Sequence, residues 1–360
     1  MHTLDPSELL LIASTAAILS FLLCLVLTPL ARRFDLVDHP SERKVHATPI
    51  PMVGGVAVFM VFAAVTWFMT PAGPASIPLL LACGLMMITG LADDLHELSP
   101  RSRFIVQIIA CCIMIFADGV VLTDLGSLLW NGVLSLGWFS VPMTIFSALG
   151  VINAFNMVDG MDGLSSMIFM IACAAMAWLA LMAGQHANAA ILIAAVGAVF
   201  GFFLLNARFP WNPRAHMFLG DSGSVFLGLF LAWHFVELGN GDERAYAPIT
   251  AVWILGVPIM DTLRLMFQRW RRGESSLAAD QCHLHHAFLK AGFSVRQTWF
   301  AITALVLFTT FVGLAGHIMD WPEYLMFYGF VIFSLVYQRI MNQCWRNGRF
   351  LGRIVGPGSL

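Results

Sequence analysis

Four groups of polar residues interrupt an otherwise apolar chain, and their types and spacing suit chemistry on phosphate. Asp93 and Asp94 are adjacent, within LADDLHEL. Neighbouring carboxylates repel, so a pair at a bilayer edge points to a bound cation or a cationic partner. The plainer alternative is a pair of solvated loop acids near Arg101 and Arg103. Asn153, Asn156, Asp159 and Asp162 recur every three residues, which lines up amide and carboxylate oxygens along one drifting helical face. Gly160 and Gly163 beside them let the backbone turn or a ligand approach closely. Asp221, in FLGDSGS, stands among small residues at the start of an apolar run. There a hard-metal ligand and free backbone N–H groups for phosphate would coincide, the alternative being an ordinary N-cap. His283, His285 and His286 form HLHH in the longest basic loop, residues 268–297. Three crowded imidazoles without a fourth ligand do not match structural zinc spacings. Partly protonated, they suit a pyrophosphate or a sugar.

Asp261 and Arg264, three residues apart, read as a local ion pair that lowers the cost of each charge, outside the active site. The inventory is carboxylates and amides for Mg²⁺, with histidines and arginines for anionic oxygens. It contains no Walker lysine loop and no kinase loop. Such a set points to phosphoryl transfer at a membrane surface.

The elements that carry these residues follow from composition. Of 360 residues, 59% are hydrophobic and 11% charged, against roughly a quarter charged in a soluble domain, so a water-soluble fold could not cover its own surface. A bilayer core about 30 Å thick asks for about 20 apolar residues per helix, and eleven such runs occur. They are residues 8–30, 50–69, 76–92, 104–117, 139–156, 164–183, 189–206, 222–238, 247–267, 298–317 and 324–338. The fourth is short and the fifth holds Pro142 and glycines, so ten spans is the alternative count. The expected fold is all-α: one polytopic transmembrane bundle over residues 1–360, with about eleven spans.

Lys and Arg mark the cytoplasmic side of a membrane protein. With the N-terminus outside, all of the 19 except Arg244 and Arg264 fall in inside segments, which puts the C-terminus in the cytoplasm. The first run lacks a basic stretch before it and is followed by Arg32 and Arg33, as in a retained helix rather than a cleaved signal peptide. The seven cysteines lie mostly in apolar runs without a CxxC pair, so they read as packing residues. The net charge of −2, with basic residues spread over the cytoplasmic loops, carries no nucleic-acid signal. A secondary transporter is the rival from another class, but it would place charges near mid-bilayer and show related halves; here the acids gather at one face.

Five motifs occur in order: PMVGG (Pro51 to Gly55), LADD (Leu91 to Asp94), NAFNMVDGMDGL (Asn153 to Leu164), FLGDSGS (Phe218 to Ser224) and HLHH (His283 to His286). Together they resemble the signatures of the polyprenyl-phosphate N-acetylhexosamine-1-phosphate transferases over nearly the whole chain, and the HxHH form is similar to the WecA branch. The resemblance implies transfer of GlcNAc-1-phosphate from UDP-GlcNAc to undecaprenyl phosphate at the cytoplasmic face of a bacterial inner membrane. UMP would be released and an O-antigen or related surface polysaccharide begun, with Mg²⁺ as cofactor, Mn²⁺ as the alternative ion, and a homodimer as the assembly to test for.

By motif position, Asn156 and Asp221 would ligate the metal, and Asp93 and Asp94 would stand at the reacting phosphates. Asp94 is the candidate to take a residual proton, and Asp93 the candidate nucleophile of a two-step route. Asp162 and Phe218 would hold the uracil, Phe218 by stacking, while His283, His285 and His286 would contact pyrophosphate and sugar. Lys44, Arg101, Arg103, Asn153 and Asp159 complete the expected substrate-binding set. The chain departs from the branch at Asp280-Gln281-Cys282, where a basic residue is usual, in the loop expected to read the sugar. UDP-QuiNAc, UDP-FucNAc and UDP-MurNAc-pentapeptide are therefore the alternative donors.

Overall fold

A computed structural model describes residues 4–39, 48–130, 132–208, 212, 214–273 and 283–347. Lys44 and the Asp280-Gln281-Cys282 step lie outside them. The described residues form thirteen α-helices, a hairpin of two-residue strands and two short 3₁₀ turns, so the chain is an all-α polytopic membrane protein. They divide into two compact units, Met1–Asp124 with Leu136–Tyr246, and Leu125–Ser135 with Ala247–Leu360.

The first unit holds α1 (Pro6–Arg33), α2 (Gly54–Met69), α3 (Ile77–His96), α4 (Pro100–Asp118), α5 (Ser140–Val158), α6 (Leu164–Met182), α7 (His186–Asn206) and α8 (Asp221–Leu238). Its hairpin pairs β1 (Val37–Asp38) antiparallel with β2 (Ile50–Pro51). Every residue of α8 from Ser222 to Val236 is buried, as expected of a helix that is apolar all round its middle. The helix forms the core of this unit, packed against α3, α5, α6 and α2. On α7, Gly197 and Gly201 lie one turn apart, and a Cβ at either would run into the backbone of α1 at Ala13 or Ala17. These two helices therefore touch backbone to backbone, the small-residue mode of helix packing in lipid.

The fifth run is continuous despite Pro142, because Pro142 is the third residue of α5, where a missing N–H interrupts no helical bond. The fourth is longer than its apolar stretch: α4 starts at Pro100 behind Ser99, whose hydroxyl accepts the Ser102 N–H at 3.1 Å. Cys24, Cys83, Cys111 and Cys173 are buried free thiols, in keeping with a packing role.

The second unit holds α9 (Pro248–Ile254), α10 (Gly256–Arg272), α11 (Leu284–Lys290), α12 (Val295–Ile318) and α13 (Glu323–Asn347). The ninth apolar run is not one straight span: α9 and α10 meet at 83°. Pro258 explains the break, since it has no N–H to give the Ile254 carbonyl one turn back and its ring crowds that carbonyl. The basic loop is partly helical as well, α11 running through the histidine motif.

Among the described residues, eight helices, α1, α3 to α7, α12 and α13, are long and apolar enough to cross a membrane. The bent pair α9 and α10 passes the same measure when joined, and α2, at 16 residues, is a shorter apolar helix.

Candidate active site

The acidic site of the first unit is assembled by close backbone contact. The PMVGG and FLGDSGS motifs are zipped together: Phe218 N–H donates to the Pro51 carbonyl at 2.8 Å, Gly54 N–H to Phe218 at 3.1 Å and Gly55 N–H to Leu219 at 2.9 Å. A Cβ on Gly90 would strike the backbone of Asp221 and Ser222. Glycine there lets α3 press its last turn against the start of α8. Gly220, the residue before α8, has φ 73° and ψ 172°, a region essentially closed to other residues. A Cβ on it would also meet the Asp94 carboxylate.

Asp94 closes this junction. Its Oδ1 accepts the Asp221 N–H at 2.9 Å and its Oδ2 the Ser222 N–H at 3.1 Å. The next two amides, of Gly223 and Ser224, donate to the Gly220 carbonyl at 3.1 and 3.0 Å. The first four N–H groups of α8 are thus all engaged, which corrects the expectation that they stand free for phosphate. A carboxylate from another helix caps α8 instead, favourably placed at the positive end of its dipole.

Asp93 turns the other way. It is 8% exposed; its Oδ1 accepts the Leu98 N–H at 2.7 Å and its Oδ2 the Arg103 guanidinium at 2.8 Å. The cationic partner implied by two adjacent acids is therefore Arg103, from the start of α4. Arg103 also comes within 3.9 Å of Asp221 Oδ2. Arg101 stays exposed on the same turn, without an ion pair to these acids among the described residues.

Asn156, near the end of α5, donates through Nδ2 to Asp221 Oδ1 at 2.9 Å and to Ser224 Oγ at 2.8 Å. Both bonds use the amide nitrogen, leaving Oδ1 as the oxygen for a cation. Asp93, Asp94 and Asp221 lie within electrostatic reach of one another, with Arg103 as their cation. Among the described residues the acids here outnumber the cations, a balance that a divalent ion would relieve. Among the described residues no three His, Cys, Asp or Glu side chains close into a metal cage. The Asn156 and Asp221 oxygens would fit Mg²⁺, which takes one or two protein oxygens plus those of a bound phosphate.

The loop after α5 brings in two further acids. Burial pushes the Asp159 carboxyl up to about 6, with repulsion from Asp94 and Asp162 in the same direction and the bond from the Ser165 hydroxyl opposing. Asp162 pairs with Arg208. Phe218 is half-buried at the same junction. Asn153 does not join the group: its amide donates to Gln107 of α4 at 3.0 Å and to the Leu149 carbonyl at 2.8 Å. A three-residue period drifts around a helix, and over one turn it carries Asn153 onto the α4 interface.

Two contributors escape any reading of spacing. Asn206, the last residue of α7, accepts the Gly163 N–H at 2.7 Å and donates to the Met217 carbonyl at 2.9 Å, joining the NAFNMVDGMDGL loop to the FLGDSGS segment. Arg208 reaches Asp162 from the turn that follows. Both stand at the end of an apolar run, where a polar residue ordinarily marks only the membrane edge.

The second unit holds the histidines. His283 precedes α11 and is 7% exposed; His285 is 3% exposed. The rings of His283 and His285 are parallel, 6.0 Å apart, and those of His285 and His286 lie 4.1 Å apart. Burial, with the two flanking imidazoles, lowers the His285 pKa to about 3. His285 is thus held neutral, which corrects the expectation of a partly protonated cluster at that position. Asp261, read from sequence as lying outside the active site, accepts from His283 Nδ1 at 3.0 Å.

Residues 76–239 match glycosyl transferase family 4. An undecaprenyl-phosphate alpha-N-acetylglucosaminyl 1-phosphate transferase of Yersinia pestis is 33% identical over 352 residues, 96% of this chain and 95% of that protein. Proteins of the same name from Salmonella typhi and Haemophilus influenzae are 32% and 31% identical, covering 96% and 93% of this chain and 95% and 94% of their own lengths. The transporter alternative falls with these relatives: the chain belongs to glycosyl transferase family 4, as a polytopic membrane enzyme.

Proposed function

We propose that this enzyme transfers GlcNAc-1-phosphate from UDP-GlcNAc to undecaprenyl phosphate, releasing UMP, at the cytoplasmic face of a bacterial inner membrane. The observation that carries the reading is the junction of α3, α5 and α8, where Asp93, Asp94, Asn156 and Asp221 gather with Arg103. The relatives' shared name supports the lipid acceptor and the transferred N-acetylglucosaminyl 1-phosphate group.

An oxygen of the lipid phosphate attacks the β-phosphorus of the donor. The bond from that phosphorus to the bridging oxygen breaks, and the oxygen leaves with UMP. One pyrophosphate linkage replaces another, so the exchange needs no ATP. A phosphate monoester has its second pKa near 6, so the acceptor is largely ionised at neutral pH and needs little help from a base. Asp93 and Asp94 each have both oxygens engaged. That favours direct attack over a route in which Asp93 is the nucleophile.

Asp221 and Asn156 would hold Mg²⁺, or Mn²⁺, whose contribution is to neutralise charge between two approaching anions. Arg103 adds positive charge beside Asp221, and Asp94 keeps the start of α8 in register. The histidine motif is assigned to the donor's pyrophosphate and sugar, and Asp162 with Phe218 to the uracil. The eleven-span topology with an external N-terminus and the start of an O-antigen or related polysaccharide complete the proposal.

The test is a panel of donors. Purified enzyme with Mg²⁺ and undecaprenyl phosphate receives UDP-GlcNAc, UDP-QuiNAc, UDP-FucNAc or UDP-MurNAc-pentapeptide, and UMP is measured. Release with UDP-GlcNAc alone is expected. Release with another sugar alone would keep the chemistry and replace the donor.

A further inference from the structure

Asp261 lies at the centre of a buried polar cluster whose partners come from three elements. It is 3% exposed, on the bent-away helix α10. Its Oδ1 accepts the Tyr337 hydroxyl of α13 at 2.9 Å and the Arg264 guanidinium at 3.1 Å. Its Oδ2 accepts the Leu284 N–H at 3.2 Å and bonds His283 Nδ1 at 3.0 Å. Arg264 is itself only 2% exposed, so the two charges are buried together. Such a pair contributes little net stability against an apolar replacement and is costly to break, which leaves its presence beside the histidine motif to be explained.

A carboxylate that already accepts from a guanidinium, a hydroxyl and an amide has only acceptor capacity to offer, so the proton in the remaining bond belongs to the imidazole. His283 therefore carries its hydrogen on Nδ1, and Nε2 is the nitrogen left to meet a ligand. The break at Pro258 brings Asp261 into this arrangement from within an apolar run, one residue before Thr262 and three before Arg264.

We propose that Asp261 is a positioning residue of the histidine motif: it fixes the tautomer and ring orientation of His283, with Arg264 paired to it and Tyr337 tethering it to α13. The role rests on the transferase reading, since His283 is assigned there to the donor. Partners that orient a metal-bound histidine are typically worth about 10–100-fold when removed, and a loss on that scale is expected here.

A double-mutant cycle on UMP release tests it, with kcat and KM read separately. Asp261→Asn keeps the size of the side chain but replaces one acceptor oxygen with a donor. The expected result is a fall in kcat of about 10–100-fold, and a double variant Asp261→Asn with His283→Gln no slower than His283→Gln alone. Tyr337→Phe removes one of the four bonds, and the expected loss is a few-fold, again absent on the His283→Gln background. Should Asp261→Asn fail to accumulate in the membrane, the Tyr337→Phe cycle decides in its place. Losses that multiply in the double variants would overturn the positioning role while leaving the transferase intact. A wild-type enzyme inactive with every UDP-sugar would overturn the reaction and this role together.

Discussion

His285 shows how one residue's surroundings set its chemistry. With its pKa near 3 against an ordinary 6.5, the folded chain refuses a proton that the unfolded chain accepts. Above pH 6.5 neither state is protonated and the residue adds no pH dependence. As pH falls from about 6.5 toward 3, only the unfolded state gains the proton, so folding loses stability across that window. The thermal midpoint of the detergent-solubilised protein is expected to fall more steeply between pH 6.5 and 4.5 than that of His285→Gln. Identical slopes for the two proteins would contradict a buried neutral His285. The sequence showed three imidazoles close together, but not that one is enclosed, because burial depends on what α11 packs against. Asp261 was hidden for the same reason: its spacing to Arg264 explains a local pair, while its bonds to His283 and Tyr337 bridge 22 and 76 residues of chain.

At the scale of elements, glycines decide how near the helices come. Gly90 puts the last turn of α3 against the first turn of α8, and Gly55 does the same for α2, where a Cβ would meet Gly223. Gly90→Ala forces these helices apart or strains them, at a cost of roughly 1–3 kcal/mol. Moving Asp94 and Asp221 relative to one another by even an ångström is expected to lower kcat on the order of 10²-fold. Steady-state kinetics on the variant, with its thermal midpoint beside it, check this; an unchanged kcat would mean that the junction tolerates displacement. The positions of the helices were legible, since each apolar run falls on a helix or, for the ninth, on the bent pair α9 and α10. Three details were not. The bend at Pro258 and the continuity through Pro142 turn on where a proline stands relative to the first turn, and helix boundaries are the least certain feature of a hydropathy pattern. The zipping of Pro51 to Gly55 onto Phe218 and Leu219 joins segments more than 160 residues apart, which no local pattern encodes.

For the whole molecule, charge distribution is the strongest statement the sequence makes. In the proposed topology Asp242 shares the outside segment with Arg244 and Arg296 lies on the cytoplasmic side; both are exposed. A membrane-impermeant maleimide is expected to label Asp242→Cys in cells whose outer layers have been removed, and Arg296→Cys only after the membrane is opened. The opposite pattern would invert the topology and move the acidic site to the other face.

The central claim is that the acids at the start of α8 serve a phosphoryl transfer between UDP-GlcNAc and a lipid phosphate. It is tested most directly by following UMP and the lipid-linked product together, in wild-type enzyme and in Asp221→Ala. The account predicts one UMP per lipid product in the wild type, dependence on Mg²⁺ or Mn²⁺, and a fall on the order of 10²–10³-fold in the variant. UMP release that is indifferent to Asp221 and to the metal, from folded protein, would contradict it.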